Sequence, residues 1–144
     1  MTYRSEPPGL PLHEPSTWLV FALSGVFVVL GLLFLVAPRA GAALFGIPAP
    51  EGPSLSYVSA IGLRDLAFGT YLAALARLST CRIVGMVLAL TILIPVGDVI
   101  LVFLERGFES PKHLLLHAGS GLVMAAGAFW LLSRPSNHNK GGFS

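Results

Sequence analysis

Four apolar segments, each near the roughly 20 residues that a helix needs to cross hydrocarbon, leave this chain few folds to choose from. The first runs from Thr17 to Ala37 without a charge, with Trp18 at one end and Pro38-Arg39 at the other, the aromatic and basic flanks of a spanning helix. The second, Ser54 to Leu78, is interrupted only by Arg64-Asp65 and closes on Arg77, whose long side chain can reach headgroups. The third, Arg82 to Glu105, contains Pro95, Gly97 and Asp98. A proline inside a spanning helix frees a backbone carbonyl, so a kink just before Asp98 points to a polar cavity. The fourth, Pro111 to Ser133, has proline in its first turn, His113 and His117 one turn apart, and Trp130 and Arg134 at its far end.

Composition agrees: 54% of the residues are hydrophobic and 11% charged, outside the range of soluble globular domains. Short connections make consecutive spans antiparallel, so the expected fold is an all-α, up-down four-helix membrane bundle over residues 17–134. Between the first two spans, Pro38 to Pro53 carries four prolines, and Arg39 to Phe45 reads as a short interfacial helix stopped by Gly46-Ile47-Pro48. Residues 1–16 hold Pro7, Pro8, Pro11 and Pro15 and read as a flexible arm, and residues 135–144 read as a disordered tail. A cleaved secretory signal is the poorer reading of the first span, whose apolar run exceeds the usual 7 to 15 residues and whose only basic flank is Arg4.

The formal charge of +2 is too slight and too dispersed for a nucleic-acid partner. Cys81, the only cysteine, excludes an intramolecular disulfide and a thiolate metal cage. Arg4, Arg77, Arg82, Arg134 and Lys140 fall on one face of the bundle, against Arg39, Arg106 and Lys112 on the other, which puts both termini in the cytoplasm by the positive-inside rule.

Gly62-Leu63-Arg64-Asp65-Leu66-Ala67-Phe68-Gly69 sets a cation beside a carboxylate near mid-span. An ionisable group at that depth costs roughly 2.5 to 3.5 kcal/mol on insertion scales, which makes it a candidate functional site. At 1.5 Å per residue, Asp65 lies about 15 Å, Asp98 about 10 Å and His117 about 8 Å from one membrane face. Arg64, Asp65, Asp98 and His117 therefore form one layer and one expected pocket. Helical spacing adds Tyr57, Glu105 and His113 as its expected substrate-binding mouth. His113-x-x-x-His117 with Asp98 could hold a metal, but the arginine opposes a cation, so neither a metal nor a cofactor is expected.

Two carboxylates bracketing an arginine make an acid and base set, in which one carboxyl holds a proton and the arginine keeps the other ionised. Such a set suits epoxide opening: one Asp protonates the ring oxygen while the other deprotonates the attacking water or internal hydroxyl, with Arg64 orienting both and His117 assisting. Two other classes fit the same residues. A transporter subunit or adaptor would use the charges to lock the bundle, and a double-bond isomerase or terpene cyclase would use the same acid and base.

The Gly62-x-Arg64-Asp65-x-x-x-Gly69 signature, the preceding Leu44-Phe45-Gly46-Ile47-Pro48, Asp98 and His117 resemble a family of small four-helix membrane proteins. Its members include epoxide hydrolases and cyclases of fungal polyketide and meroterpenoid pathways of the aurovertin, citreoviridin and ascofuranone kind. The resemblance covers most of Pro38 to Arg134. It implies a cofactor-independent epoxide-opening enzyme acting on an oxygenated polyene or prenyl chain, with Arg64, Asp65 and Asp98 as the working set. In a fungal cell it also implies the endoplasmic reticulum membrane. The expected partners are the lipid bilayer and a hydrophobic small molecule, and a homodimer is a compatible assembly.

Overall fold

The computed structural model describes residues 9–134, and every regular element within them is helical. Four stretches are long and apolar enough to cross a membrane: Pro15–Val36, Gly52–Leu78, Cys81–Glu109 and Pro111–Leu132. Their outward faces are apolar too, with Val29, Leu63, Leu90, Leu93, Leu122 and Phe129 exposed, a surface suited to lipid and not to water. The protein is an all-α, multi-pass membrane bundle.

Prolines and glycines set the boundaries. Helix α1 (Pro15–Val36) begins with proline in its first turn and ends at Ala37, since the residue before Pro38 is disfavoured in the α region. Pro38 opens α2 (Pro38–Phe45), which Gly46 stops at φ 98°, a left-handed cap that glycine adopts without penalty. A single 3-10 turn leads into α3 (Leu55–Leu78), and Thr80 caps α4 (Cys81–Thr91) by accepting from the Ile83 N–H at 3.4 Å. The third span is not one helix. Pro95 has no N–H to give the Thr91 carbonyl, and the helix breaks at Ile92 before resuming as α5 (Leu93–Arg106). Helix α6 (Pro111–Leu132) completes the bundle.

Packing divides these helices into two pairs. Helices α1 and α3 run antiparallel in extensive contact, while α6 packs on α4 and α5. A Cβ added to Gly62 would lie 2.7 Å from the Gly31 carbonyl oxygen, and one added to Gly31 would lie 2.7 Å from that of Gly62. The two backbones therefore touch, and one turn-pair further along Ser24 Oγ donates to the Gly69 carbonyl at 2.7 Å. Close backbone approach and interhelical hydrogen bonds hold helices together where lipid removes the hydrophobic drive.

The two pairs meet at the end that holds the first and last described residues. There Val20, Leu72, Leu88, Met124 and Leu131 form a buried core, Gly127 packs on Leu19, and Glu14 pairs with Arg134. Direct contact between α1 and α6 is slight, and towards the other end a cavity separates the pairs, with the end of α2 hydrogen-bonded to α5 and α6 across the splay.

Within the arm expected to be flexible over residues 1–16, the described part from Gly9 is docked on the bundle. Leu10 is buried in the core, its N–H donates to the Ala76 carbonyl at 2.8 Å, and Thr17 Oγ1 donates to the Pro11 carbonyl at 2.6 Å. One leucine among prolines docks a stretch whose composition argues for freedom. The rest of the arm, the expected tail over 135–144, and Arg4 and Lys140 lie outside the described residues.

Candidate functional site

The splay leaves a cavity of about 400 Å³, within the range of small-molecule sites. Its wall is almost wholly apolar, built by Leu23, Phe27 and Phe34 of α1, Ile61 of α3, Ile94 of α5 and Met124 of α6, among others. Into this wall project Arg64 and Asp65 from α3, Asp98 from α5 and His117 from α6. The four residues expected to be catalytic thus share one cavity, and the break at Ile92 lets α5 carry Asp98 to it.

The two carboxylates have different partners. Arg64 donates through Nε at 3.4 Å and Nη2 at 3.3 Å to one oxygen of Asp65, which is largely buried while the Arg64 side chain is 52% exposed. Asp98 Oδ2 lies 3.6 Å from His117 Nδ1. The other ring nitrogen of His117, Nε2, is 2.9 Å from the Phe45 carbonyl. A carbonyl only accepts, so Nε2 carries the hydrogen, and Nδ1 is the ring nitrogen that faces Asp98. The Phe45 ring lies against the imidazole at 4.8 Å between centroids and fixes its plane.

Tyr57, Glu105 and His113, expected at the mouth, do not line the cavity. Tyr57 is 75% exposed, two turns from Arg64, where shared helical face no longer means shared contact. Glu105 lies exposed near the end of α5. His113 is turned to backbone and turn: Ser110 Oγ donates to its Nδ1 at 2.5 Å, and its Nε2 donates to the Ala43 carbonyl at 3.2 Å. The place assigned to these side chains is taken by α2. Its Ala43 and Phe45 carbonyls and that of its cap, Gly46, accept from His113, His117 and Arg106, as suits the negative end of a helix. His113 and His117 thus address separate carbonyls and do not converge on a common point.

What the spacing of polar residues did not reveal is the part played by backbone and by α1. The Phe45 carbonyl orients His117, and five α1 side chains line the cavity. The readable signal is the stop at Gly46-Ile47-Pro48, which ends α2 where its last carbonyls meet His113 and His117.

A family model described as Domain of unknown function (DUF4267) matches residues 24–131. The chain belongs to that family. No curated protein and no solved structure matches it. The DUF4267 segment opens at Ser24, which bonds Gly69, and closes at Leu131 in the core; it contains every cavity-lining residue except Leu23. The Glu14–Arg134 pair lies outside it.

Proposed function

We propose that this DUF4267 protein is a cofactor-independent enzyme that opens an epoxide on a hydrophobic polyene or prenyl chain, as hydrolase or cyclase. The observation that carries the reading is the unlike pairing of two carboxylates facing one apolar cavity, Asp65 with an arginine and Asp98 with a histidine. Asp98 and His117 share the proton to be given. It passes to the epoxide oxygen as the carbon–oxygen bond breaks, leaving Asp98 and His117 one proton short. Asp65, beside the permanently charged Arg64, takes the proton of water or of an internal hydroxyl as that oxygen bonds to carbon. Water yields a diol and an internal hydroxyl yields a cyclic ether. Transfer of the proton from Asp65 back to the Asp98–His117 pair restores the site, and the balance is closed without an oxidant or a metal.

A purely structural ion pair is less well supported, because Arg64 and Asp65 are neighbours on one helix and their contact ties no two helices together. On the positive-inside count the termini and the α3–α4 turn face the cytoplasm, which sets the cavity and α2 towards the opposite leaflet, in the endoplasmic reticulum if the cell is fungal.

The test incubates membranes containing the protein with epoxidised polyene and prenyl substrates in heavy-oxygen water. Label in a diol reports hydrolysis, and an unlabelled cyclic ether reports cyclisation. Asp65→Asn and Asp98→Asn should each lose turnover by about 10² to 10⁴-fold while eluting as folded protein in detergent. Full turnover in both variants would sink the assignment.

A further inference from the structure

We propose that the cavity takes its ligand sideways from the bilayer, through the cleft between α1 and α6, and that this cleft holds the ligand's hydrocarbon chain. The inference rests on the cavity being the substrate site and adds the route and the subsite for the chain.

Helical spacing aligns two flanks. Leu19, Leu23, Val26 and Leu30 follow one another along one side of α1, and Gly127, Val123, Ser120 and Leu116 along one side of α6. At the closed end the flanks touch, since a Cβ added to Gly127 would lie 3.2 Å from the Leu19 side chain. Further along both line the cavity, yet Val26 is 53%, Leu116 48% and Val123 47% exposed. Residues that are at once cavity wall and outer surface mark an opening. At a rise of about 1.5 Å per residue, Val123 lies about 9 Å along α6 from His117, so the opening runs from the acid layer towards the closed end inside the hydrocarbon.

The other ways in are less suited to an apolar chain. The buried core around Met124 and Leu88 blocks the closed end, and α2, held through Ala43, Phe45 and Gly46, covers the splayed end. Between α3 and α5 stands the half-exposed guanidinium of Arg64, which a hydrocarbon chain would strip of its polar surroundings at high cost. The α1–α6 cleft has no charged side chain on either flank, and a chain lying there stays in the phase in which it is dissolved.

Photolabelling tests this on the full-length protein in phosphatidylcholine liposomes, using a long-chain fatty alcohol with a mid-chain diazirine and mapping the label by peptide mass spectrometry. Label is expected on the cavity residues Phe27 and Phe34 as well as on the lipid-facing Val29 and Leu32. Val26→Trp and Val123→Trp should each lower labelling of Phe27 and Phe34 by about tenfold and leave Val29 and Leu32 unchanged. Leu90→Trp, exposed on α4, should alter neither. Undiminished inner labelling in both cleft variants would overturn the route, as would absence of inner label from the wild type. A dimer that Val123→Trp dissociates would also overturn it, by showing a second copy in the cleft. Because labelling needs no turnover, the route stands or falls independently of the epoxide chemistry.

Discussion

At the scale of single residues, the contact with most chemical consequence is the one between His117 and Asp98, because its second end is fixed by the Phe45 carbonyl. A ring held at Nε2 turns Nδ1 towards Asp98, and under the proposed mechanism the two side chains work as one proton store. His117→Gln should therefore lower turnover about as much as Asp98→Asn, within the 10² to 10⁴-fold expected for a general acid. The double variant should be scarcely worse than either single one, as happens when residues act as a unit. A double-mutant cycle on turnover reads this directly, and multiplying losses would show that the two act separately. Tyr57→Phe and Glu105→Gln belong to the opposite class. Both positions are exposed and away from the cavity, and turnover and stability should stay within about twofold and 0.5 kcal/mol of wild type.

At the scale of elements, α2 covers the splayed end of the cavity, and Gly46, packed on the His113 ring, is the position expected to govern its docking. With φ at 98°, alanine there carries the strain of a left-handed backbone, and its Cβ would also meet the His113 ring. Gly52→Ala is the control, since at φ 60° it is strained but has open space around it. Gly52→Ala should lose about 1 kcal/mol of stability with turnover intact, and Gly46→Ala should lose more and turnover with it. Thermal unfolding in detergent beside the turnover assay separates strain from undocking; equal effects of the two would mean that α2 does not organise the site. The spans themselves were legible because a helix crossing hydrocarbon must record its length in apolar residues, as Thr17 to Ala37 does. The acid layer was legible for the same reason: Arg64, Asp65, Asp98 and His117 stand out against that background, and helical rise converts their positions into depth. Rise says nothing of how helices pair. Hence spacing alone places Tyr57, Glu105 and His113 at a mouth that α2 covers through backbone carbonyls, which have no signature in side-chain spacing.

At the scale of the whole molecule, a cavity between two helix pairs requires that the pairs be held at their other end. The Glu14–Arg134 pair supplies part of that hold; the family match over residues 24–131 contains the Gly31–Gly62 seam and most of the core and stops short of both side chains. These two side chains are only about a quarter exposed, and they join the start of α1 to the end of α6 beside the docked Leu10. Removing one partner leaves the other charge partly buried and unpaired. Glu14→Gln and Arg134→Gln should each cost about 1 to 3 kcal/mol, below the 3 to 5 typical of a fully buried pair because some water reaches both. Replacing both should cost less than the sum by about 0.5 to 3 kcal/mol, the signature of a direct interaction. Denaturant or thermal unfolding of the four proteins in one detergent measures the coupling, and strict additivity would show that the clasp contributes nothing. Since the clasp lies at the closed end, remote from Asp65 and Asp98, the turnover of whatever fraction remains folded should be unchanged. Stability would then fall without loss of specific activity, placing closure of the bundle and chemistry of the cavity in separate parts of the chain.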